Sequence, residues 1–161
     1  MDEAELDKQF ALEENYWWFV GRRGIIKTAL ARNLANCGQG WVLDLASATG
    51  GNLQMLGECG QVIALDLSPH ALSRCRQRGA RRLVCGSATA LPLRERSVDL
   101  VASLDLLEHV EDDARAVGEM FRVLKPGGLV LVTAPAYQWL WSDHDVALAH
   151  QRRYVLGEVV A

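Results

Sequence analysis

A few carboxylates and one histidine of this chain stand at the ends of apolar runs, where α/β proteins gather their chemistry. Asp44 lies inside Val42-Leu43-Asp44-Leu45, which leads into Ala46-Ser47-Ala48-Thr49-Gly50-Gly51-Asn52. The pattern reads as a buried strand, a tight turn and a helix, and such a turn aims backbone N–H groups at a ligand. A second apolar run, Val62-Ile63-Ala64-Leu65, ends on Asp66, 22 residues after Asp44, and Ser68-Pro69 opens the next helix. An acidic group at the tip of the second strand of such a unit is positioned to accept hydrogen bonds from both hydroxyls of a ribose. The chemistry this predicts is binding of a nucleotide-like cofactor.

Asp105, Glu108 and His109 follow a later apolar run at i, i+3 and i+4. One helical turn would bring all three to one face at the carboxyl end of a sheet, where α/β sites lie. The same residues also suit a helix start, with carboxylates complementing its dipole. Two aromatic clusters, Tyr16-Trp17-Trp18-Phe19 and Tyr137 with Trp139 and Trp141, stand toward either end of the chain. Four consecutive aromatics cannot all face one core, so some should be exposed or line an apolar pocket or lid. Arg22-Arg23 and Arg152-Arg153, beside His144 and His150, could bind an anionic head group or stand as solvated charges.

The elements that must hold these groups alternate along the chain. Residues 3–36 carry apolar side chains at helical spacing, with a break expected near Gly21–Gly24. The patterning then predicts strand 41–45, helix 50–57, strand 61–66, helix 69–78, strand 82–85, strand 98–103, helix 112–124 and strand 129–134. Strict alternation implies a parallel sheet with right-handed crossovers. Ser68 suits an N-cap with Pro69 at the first helical position, and Gly79 suits the helix end. Lys125-Pro126-Gly127-Gly128 should end one helix and turn the chain into its last strand.

The bulk properties set limits. A chain of 161 residues, 50% hydrophobic, forms one domain and buries roughly two-thirds of its unfolded surface. A net charge of −3 gives no reason to expect a nucleic-acid partner. Cys37, Cys59, Cys75 and Cys85 form no C-x-x-C pair and read as reduced thiols. The acidic start is unlike a signal peptide and no apolar run approaches 18 residues, so the expectation is a soluble, cytoplasmic protein without a membrane span.

These residues resemble the class I S-adenosylmethionine-dependent methyltransferases of the methyltransferase type 11 kind, whose first motif reads D-x-G-x-G-x-G after an apolar strand. Asp66, the run Gly86 to Leu93, Ser97-Val98-Asp99-Leu100-Val101, Leu107-Glu108-His109-Val110 and Leu124 to Gly128 follow in the family's order. The resemblance implies a Rossmann-like doubly wound α/β sheet, mostly parallel, of five strands with helices on both faces and without the family's C-terminal strand pair. It implies a single domain over 1–161, with an N-terminal helical lid segment 1–36, a cofactor-binding core 40–134 and an incomplete C-terminal segment 135–161. It further implies S-adenosylmethionine as cofactor, held by Asp44, Ala46, Ala48, Gly50, Asn52, Asp66, Leu67, Ser87, Ala88 and Leu104. The activity implied is methyl transfer to a small acceptor, and the aromatic clusters point to an apolar or amphiphilic one. Asp105-x-x-Glu108-His109 is similar to the E-x-x-E-H cluster of quinone-pathway O-methyltransferases, which implies His109 as a catalytic base; a metal there is the alternative reading, and none is assigned.

Three positions depart from the family pattern. Ala46 and Ala48 stand for glycines that allow a positive φ or a close backbone approach, and Ser87 stands for an acidic residue. Alanine at positive φ predicts strain of roughly 1–2 kcal/mol at each site. A second reading is therefore a degenerate, non-catalytic interaction protein. Its last strand would be an open apolar edge, so the chain is a piece of a longer protein, pairs as a homo-oligomer, or folds residues 135–161 back over that edge. A nicotinamide-dependent oxidoreductase would also use Asp66, but G-x-G-x-x-G is absent.

Overall fold

The computed structural model describes residues 3–33 and 40–159. The expected helix over 34–36 and the thiol of Cys37 lie outside the described residues.

Two helices, α1 (Glu3–Leu12) and α2 (Trp17–Asn33), precede an alternating core. The core runs β1 (Gly40–Leu45), α3 (Leu53–Gly57), β2 (Gly60–Asp66), α4 (Pro69–Gln77), β3 (Leu83–Cys85), β4 (Val98–Leu104), α5 (Asp113–Val123) and β5 (Leu124–Thr133). The strands form one sheet in the order β3-β2-β1-β4-β5, parallel at every pairing. Asp44 is registered between Ala64 of β2 and Ala102 of β4, at the carboxyl end where the order reverses.

Strands covered on both faces read as mainly apolar runs, and β1 and β4 do, interrupted by Asp44 in β1 and by Asp99 and Ser103 in β4. On one face Leu43, Leu45 and Val101 pack with Ala116, Met120 and Val123 of α5. On the other, Val42, Leu100 and Ala102 pack with Ile26 and Leu30 of α2 and Met55 and Leu56 of α3. This is the doubly wound arrangement that the family resemblance implies. The predicted punctuation holds at α4: Ser68 Oγ accepts from Ala71 N at 3.2 Å, Pro69 follows, and Gly79 takes φ +89°.

Three boundaries differ from the sequence expectation. The N-terminal break falls at residues 13–16, not at Gly21–Gly24, which sit inside α2 with open space around both positions. A helix tolerates such glycines at about 1 kcal/mol each, whereas Glu13 must leave the helix to reach the core. Residues 50–52 form the turn and α3 begins only at Leu53. Lys125–Gly128 does not separate helix from strand. β5 starts at Leu124, opposite Val98, and the four residues form an irregularity before Leu129 meets Leu100, with Gly127 at φ +78°. β5 is an edge of the sheet, where a proline costs no ladder bond.

Residues 135–159 hold two short helices, α6 (Asp143–Ala147) and α7 (Leu156–Val159). This segment is tied to the loop before α5: Gln151 N donates to Glu108 O at 2.7 Å, Tyr154 Oη to Asp113 at 2.8 Å, and Arg152 pairs with Asp113 at 3.0 Å. Among the described residues β5 pairs only with β4. No helix among them is long and apolar enough to cross a membrane.

Candidate functional site

β1 carries Asp44 to the carboxyl end of the sheet, and the following turn doubles back over it. Ala46 takes φ +58°, Ala48 φ +45° and Gly50 φ +80°. The turn thus keeps the left-handed conformation at alternate positions although two are alanines, each at a strain of roughly 1–2 kcal/mol. Hydrogen bonds hold it there: Ser47 N to Leu65 O at 3.0 Å, Gly50 N to Ser47 O at 2.8 Å, and Cys75 Sγ to Ala48 O at 3.2 Å. A Cβ on Gly50 would come within 2.5 Å of Leu53 Cδ1 and 3.2 Å of Cys75. Burial pushes the Cys75 thiol up to about 11, so it supports the turn from α4 rather than acting as a nucleophile.

Asp66 locks the turn to the second strand. Its Oδ2 accepts from Ala48 N at 2.9 Å and its Oδ1 from Ser68 N at 2.8 Å. Each oxygen retains lone-pair capacity for a further donor. Leu67, next along, is 73% exposed and offers an apolar face beside that carboxylate. Ser87 and Ala88 lie in a tight turn after β3, where Ser87 Oγ meets Thr89 Oγ1 at 2.9 Å and Ala88 packs on the core. Asn52 precedes α3 without a side-chain capping bond, and Leu104 is buried at the end of β4.

The N-terminal segment closes over this turn. Glu13, 5% exposed, accepts a hydrogen bond from Thr49 Oγ1 and pairs with Arg78 at 3.3 Å. Its carboxyl carbon lies 2.6 Å from where a Cβ on Gly51 would stand, so glycine there makes room for the carboxylate. Arg23 donates to Glu13 O at 2.8 Å, capturing a carbonyl that the helix end leaves free. Arg22 pairs with Asp105 at 3.0 Å and reaches Thr133 Oγ1 at 3.3 Å. Arg152 and Arg153 are likewise engaged, with Asp113 at 3.0 Å and Asp145 at 2.8 Å. Arg22, Arg152 and Arg153 satisfy internal carboxylates and Arg23 a backbone carbonyl, so all four are engaged within the chain. The aromatics do stand outward, with Tyr16, Trp17, Trp18, Tyr137 and Trp139 all about half exposed or more.

Buried polar atoms without partners gather at the carboxyl ends of β1 and β4. They are Asp44 Oδ2, Ser103 Oγ, both carboxylate oxygens of Glu108 and Arg22 Nε. Buried polar groups are ordinarily satisfied, and such a concentration marks a place built to receive something. Burial, with the charges of Asp66 and Glu13 behind it, pushes the Asp44 carboxyl up to about 7. Burial and the nearby Asp105 do the same to Glu108, also to about 7.

Asp105, Glu108 and His109 do not share one helical face. Asp105 takes φ +57° and turns to Arg22 and Thr133, and only Leu107–His109 make a 3-10 turn. The chain cannot continue helically from β4 through a residue in the left-handed region. His109 instead meets His150, with ring centroids 4.8 Å apart, and Glu108 lies alongside. Burial, reinforced by His150, lowers the His109 pKa and keeps its ring neutral near pH 7.

Glu13, Thr49, Arg78 and Asp145 were not legible as site residues in the sequence, and His150 was legible only as one of a basic group. Glu13 and Thr49 are 36 positions apart, His109 and His150 are 41 apart, and no local pattern links either pair.

Comparison with known proteins agrees with this architecture. The methyltransferase domain family matches residues 43–132, more than half of the chain. The "Probable S-adenosylmethionine-dependent methyltransferase" of Mycolicibacterium smegmatis is 34% identical over 131 residues, covering 76% of this chain and 47% of that protein. The ubiquinone/menaquinone biosynthesis C-methyltransferase UbiE of Cronobacter sakazakii is 34% identical over 134 residues, covering 74% and 53%. The chain therefore spans about half the length of these curated relatives. Among solved structures, a chain from the complex between the Haloferax volcanii Trm112 methyltransferase activator and a methyltransferase superposes with a TM-score of 0.77. It is 24% identical, with 98% of this chain and 70% of that chain covered, and establishes likeness of fold. With its motif blocks, five-stranded parallel sheet and family match in agreement, the chain belongs to the methyltransferase domain family.

Proposed function

We propose that this chain binds S-adenosylmethionine across the carboxyl ends of β1, β2 and β4 and transfers its methyl group to a small acceptor. The observation that carries the reading is Asp44 Oδ2, buried and without a partner beneath the turn 46–50. An ammonium group would satisfy it and recover the cost of its burial. The left-handed turn at Ala46, Ala48 and Gly50 supports the same reading, because it is the backbone shape that family glycines provide. When bound, the cofactor supplies an electrophilic methyl carbon open to in-line attack.

The chain's own residues then bind and orient. Asp66, whose oxygens each keep a free lone pair, receives the ribose hydroxyls. Leu67 lies against the adenine, with Ser87 and Ala88 at its edge, while Asn52 and Leu104 border the methionine end. His109, neutral near pH 7, is the base for an acceptor that must lose a proton. Residues 3–33 act as a lid, fastened by Glu13 on Thr49 and Arg22 on Asp105, and belong with 40–159 to one domain. The exposed aromatics favour an apolar or amphiphilic acceptor, and the relative named for ubiquinone and menaquinone biosynthesis is consistent with one. We read the setting as cytoplasmic, from the unbridged thiols of Cys75 and Cys85, with β5 as the edge available to a second copy.

Calorimetric titration with S-adenosylmethionine and S-adenosylhomocysteine tests this directly. Micromolar binding of both is the expected result. No heat in a sample that circular dichroism reports as folded would favour the non-catalytic reading.

A further inference from the structure

We propose that Asp145 and His150 are positioning residues for the base His109. Asp145 fixes the His150 ring, and that ring, with the Ala149 carbonyl, holds the His109 imidazole in one tautomer with a bare nitrogen for the acceptor. This rests on the reading of His109 as the base and concerns residues 142–154, which lie outside the motif blocks.

Asp145 is fully buried, at 0% exposure, although it belongs to a helix of only five residues. Both its oxygens are used. Oδ1 accepts from Arg153 Nε at 2.8 Å and meets His150 Nδ1 at 2.9 Å, while Oδ2 accepts from Arg153 Nη2 and Ser142 N, each at 2.8 Å. A carboxylate only accepts, so it fixes the proton of His150 on Nδ1. Arg153 balances the carboxylate by itself through its two-bond fork, and a staple for the C-terminal segment would be complete without an imidazole. What His150 adds is its ring, set edge-on against His109 with the centroids 4.8 Å apart.

The backbone around His150 is clamped to the turn that carries His109. Gln151 N donates to Glu108 O at 2.7 Å, Gln151 Nε2 to His109 O at 3.1 Å and Arg152 Nη2 to Glu111 O at 2.9 Å. Ala149 holds a left-handed φ of +55°, which a residue with a Cβ seldom adopts, and its carbonyl accepts from the His109 ring. Strain of this kind persists where surrounding contacts over-determine it, and it gathers at functional sites. One His109 nitrogen is thus a donor to Ala149, and the other is the acceptor that a base requires.

The charged groups around the two rings are Glu108 and the Arg22–Asp105 pair on the sheet side, and Asp145 with Arg153 on the other. When His109 acts, the acceptor's bond to hydrogen breaks, the proton bonds to the bare nitrogen, and the electron pair stays on the acceptor atom to be methylated. The positive charge then on His109 faces the Glu108 carboxyl group, which is 1% exposed and has no hydrogen-bond partner on either oxygen. Burial is the first cause of the lowered His109 pKa and His150 the second. Imidazoles that interact in this way titrate as a pair.

The test is a long-range 1H–15N spectrum of the four histidine rings, followed across neutral pH on the folded chain without cofactor or acceptor. His109 is expected as a single neutral tautomer, with a titration curve in two steps because it senses His150. In His150→Gln the curve should become single-stepped and the His109 pKa should rise. In Asp145→Asn the His150 ring should exchange between tautomers, because an amide can face Nδ1 with its oxygen or its nitrogen. His144→Gln, on the same short helix, should change neither ring. If His150→Gln fails to fold, the parent alone decides, since an unassisted His109 would titrate in one step and exchange between tautomers. That behaviour in the parent, or a folded His150→Gln whose His109 keeps the parent's pKa and tautomer, would overturn the assignment. All of this is read with no ligand present, so failure here and failure of the methyltransferase reading, which calorimetry reports, are separable.

Discussion

Glu13, which follows the first helix, accepts a hydrogen bond from Thr49 in the turn after β1, and so joins the N-terminal segment to the centre of the site. The same carboxylate pairs with Arg78 of the α4 end, and Phe10 one turn earlier lies under that guanidinium at 4.4 Å. Glu13→Ala leaves a buried hydroxyl and a mostly buried guanidinium short of a partner, at a cost of about 1–3 kcal/mol. Urea unfolding should report that loss, and hydrogen exchange should rise across residues 3–33 before the sheet. Glu13→Gln keeps an acceptor for Thr49 and should lose less.

Ala46 and Ala48 hold left-handed conformations that glycine adopts freely. Replacing either by glycine relieves roughly 1–2 kcal/mol of strain and returns about 0.4–1 kcal/mol to the unfolded chain's entropy. Each variant should therefore gain stability by about 0.5–1 kcal/mol, read as a higher urea midpoint at constant slope. If the methyl groups also crowd the ligand, affinity for S-adenosylmethionine rises in parallel; unchanged affinity means the turn has already accommodated them.

Asp66 serves two backbone donors as well as the proposed ribose. Asp66→Ala should weaken S-adenosylmethionine binding by roughly 1.5–3 kcal/mol and lower the thermal midpoint, because Ala48 N and Ser68 N lose their acceptor. Asp66→Asn retains one oxygen and should fall between. An affinity that does not move in Asp66→Ala would remove this residue from the site.

The Asp44 carboxyl, ordinarily near 3.8, is raised to about 7 in the folded chain. Between those values the folded protein holds a proton that the unfolded chain has released, so stability falls as pH rises through this window. Asp44→Asn removes the buried charge, and the variant should be more stable than the parent at pH above 7, by up to about 4 kcal/mol, with the difference vanishing near pH 4. A bound ammonium would reverse the shift. Affinity for S-adenosylmethionine should accordingly rise with pH toward 7 in the parent and stay flat over that range in Asp44→Asn.

The succession of strands and helices and the ligand-facing end of the sheet were legible because most strands are apolar runs closed by turn chemistry, as at Asp44 with its turn and Asp66 with Ser68-Pro69. The helix break was misjudged because Gly21 and Gly24 are locally the weaker positions, while the true break answers a contact made with Thr49. The β5 start was misjudged because its irregular pairing with β4 is a property of two strands together.

The sequence by itself determined the parallel α/β alternation and the position of Asp44 and Asp66 at the strand tips, because both follow from interactions within a few residues of one another. The left-handed turn at Ala46 and Ala48 was expected only from the family's glycines, and the structure shows that it is kept. Only the tertiary structure decided that Arg22 claims Asp105, that Glu13 seats on Thr49, and that His150 joins Glu108 and His109. Those pairs are separated by 36 to 83 positions, and their meeting depends on how whole helices and the C-terminal segment pack, which no local periodicity encodes.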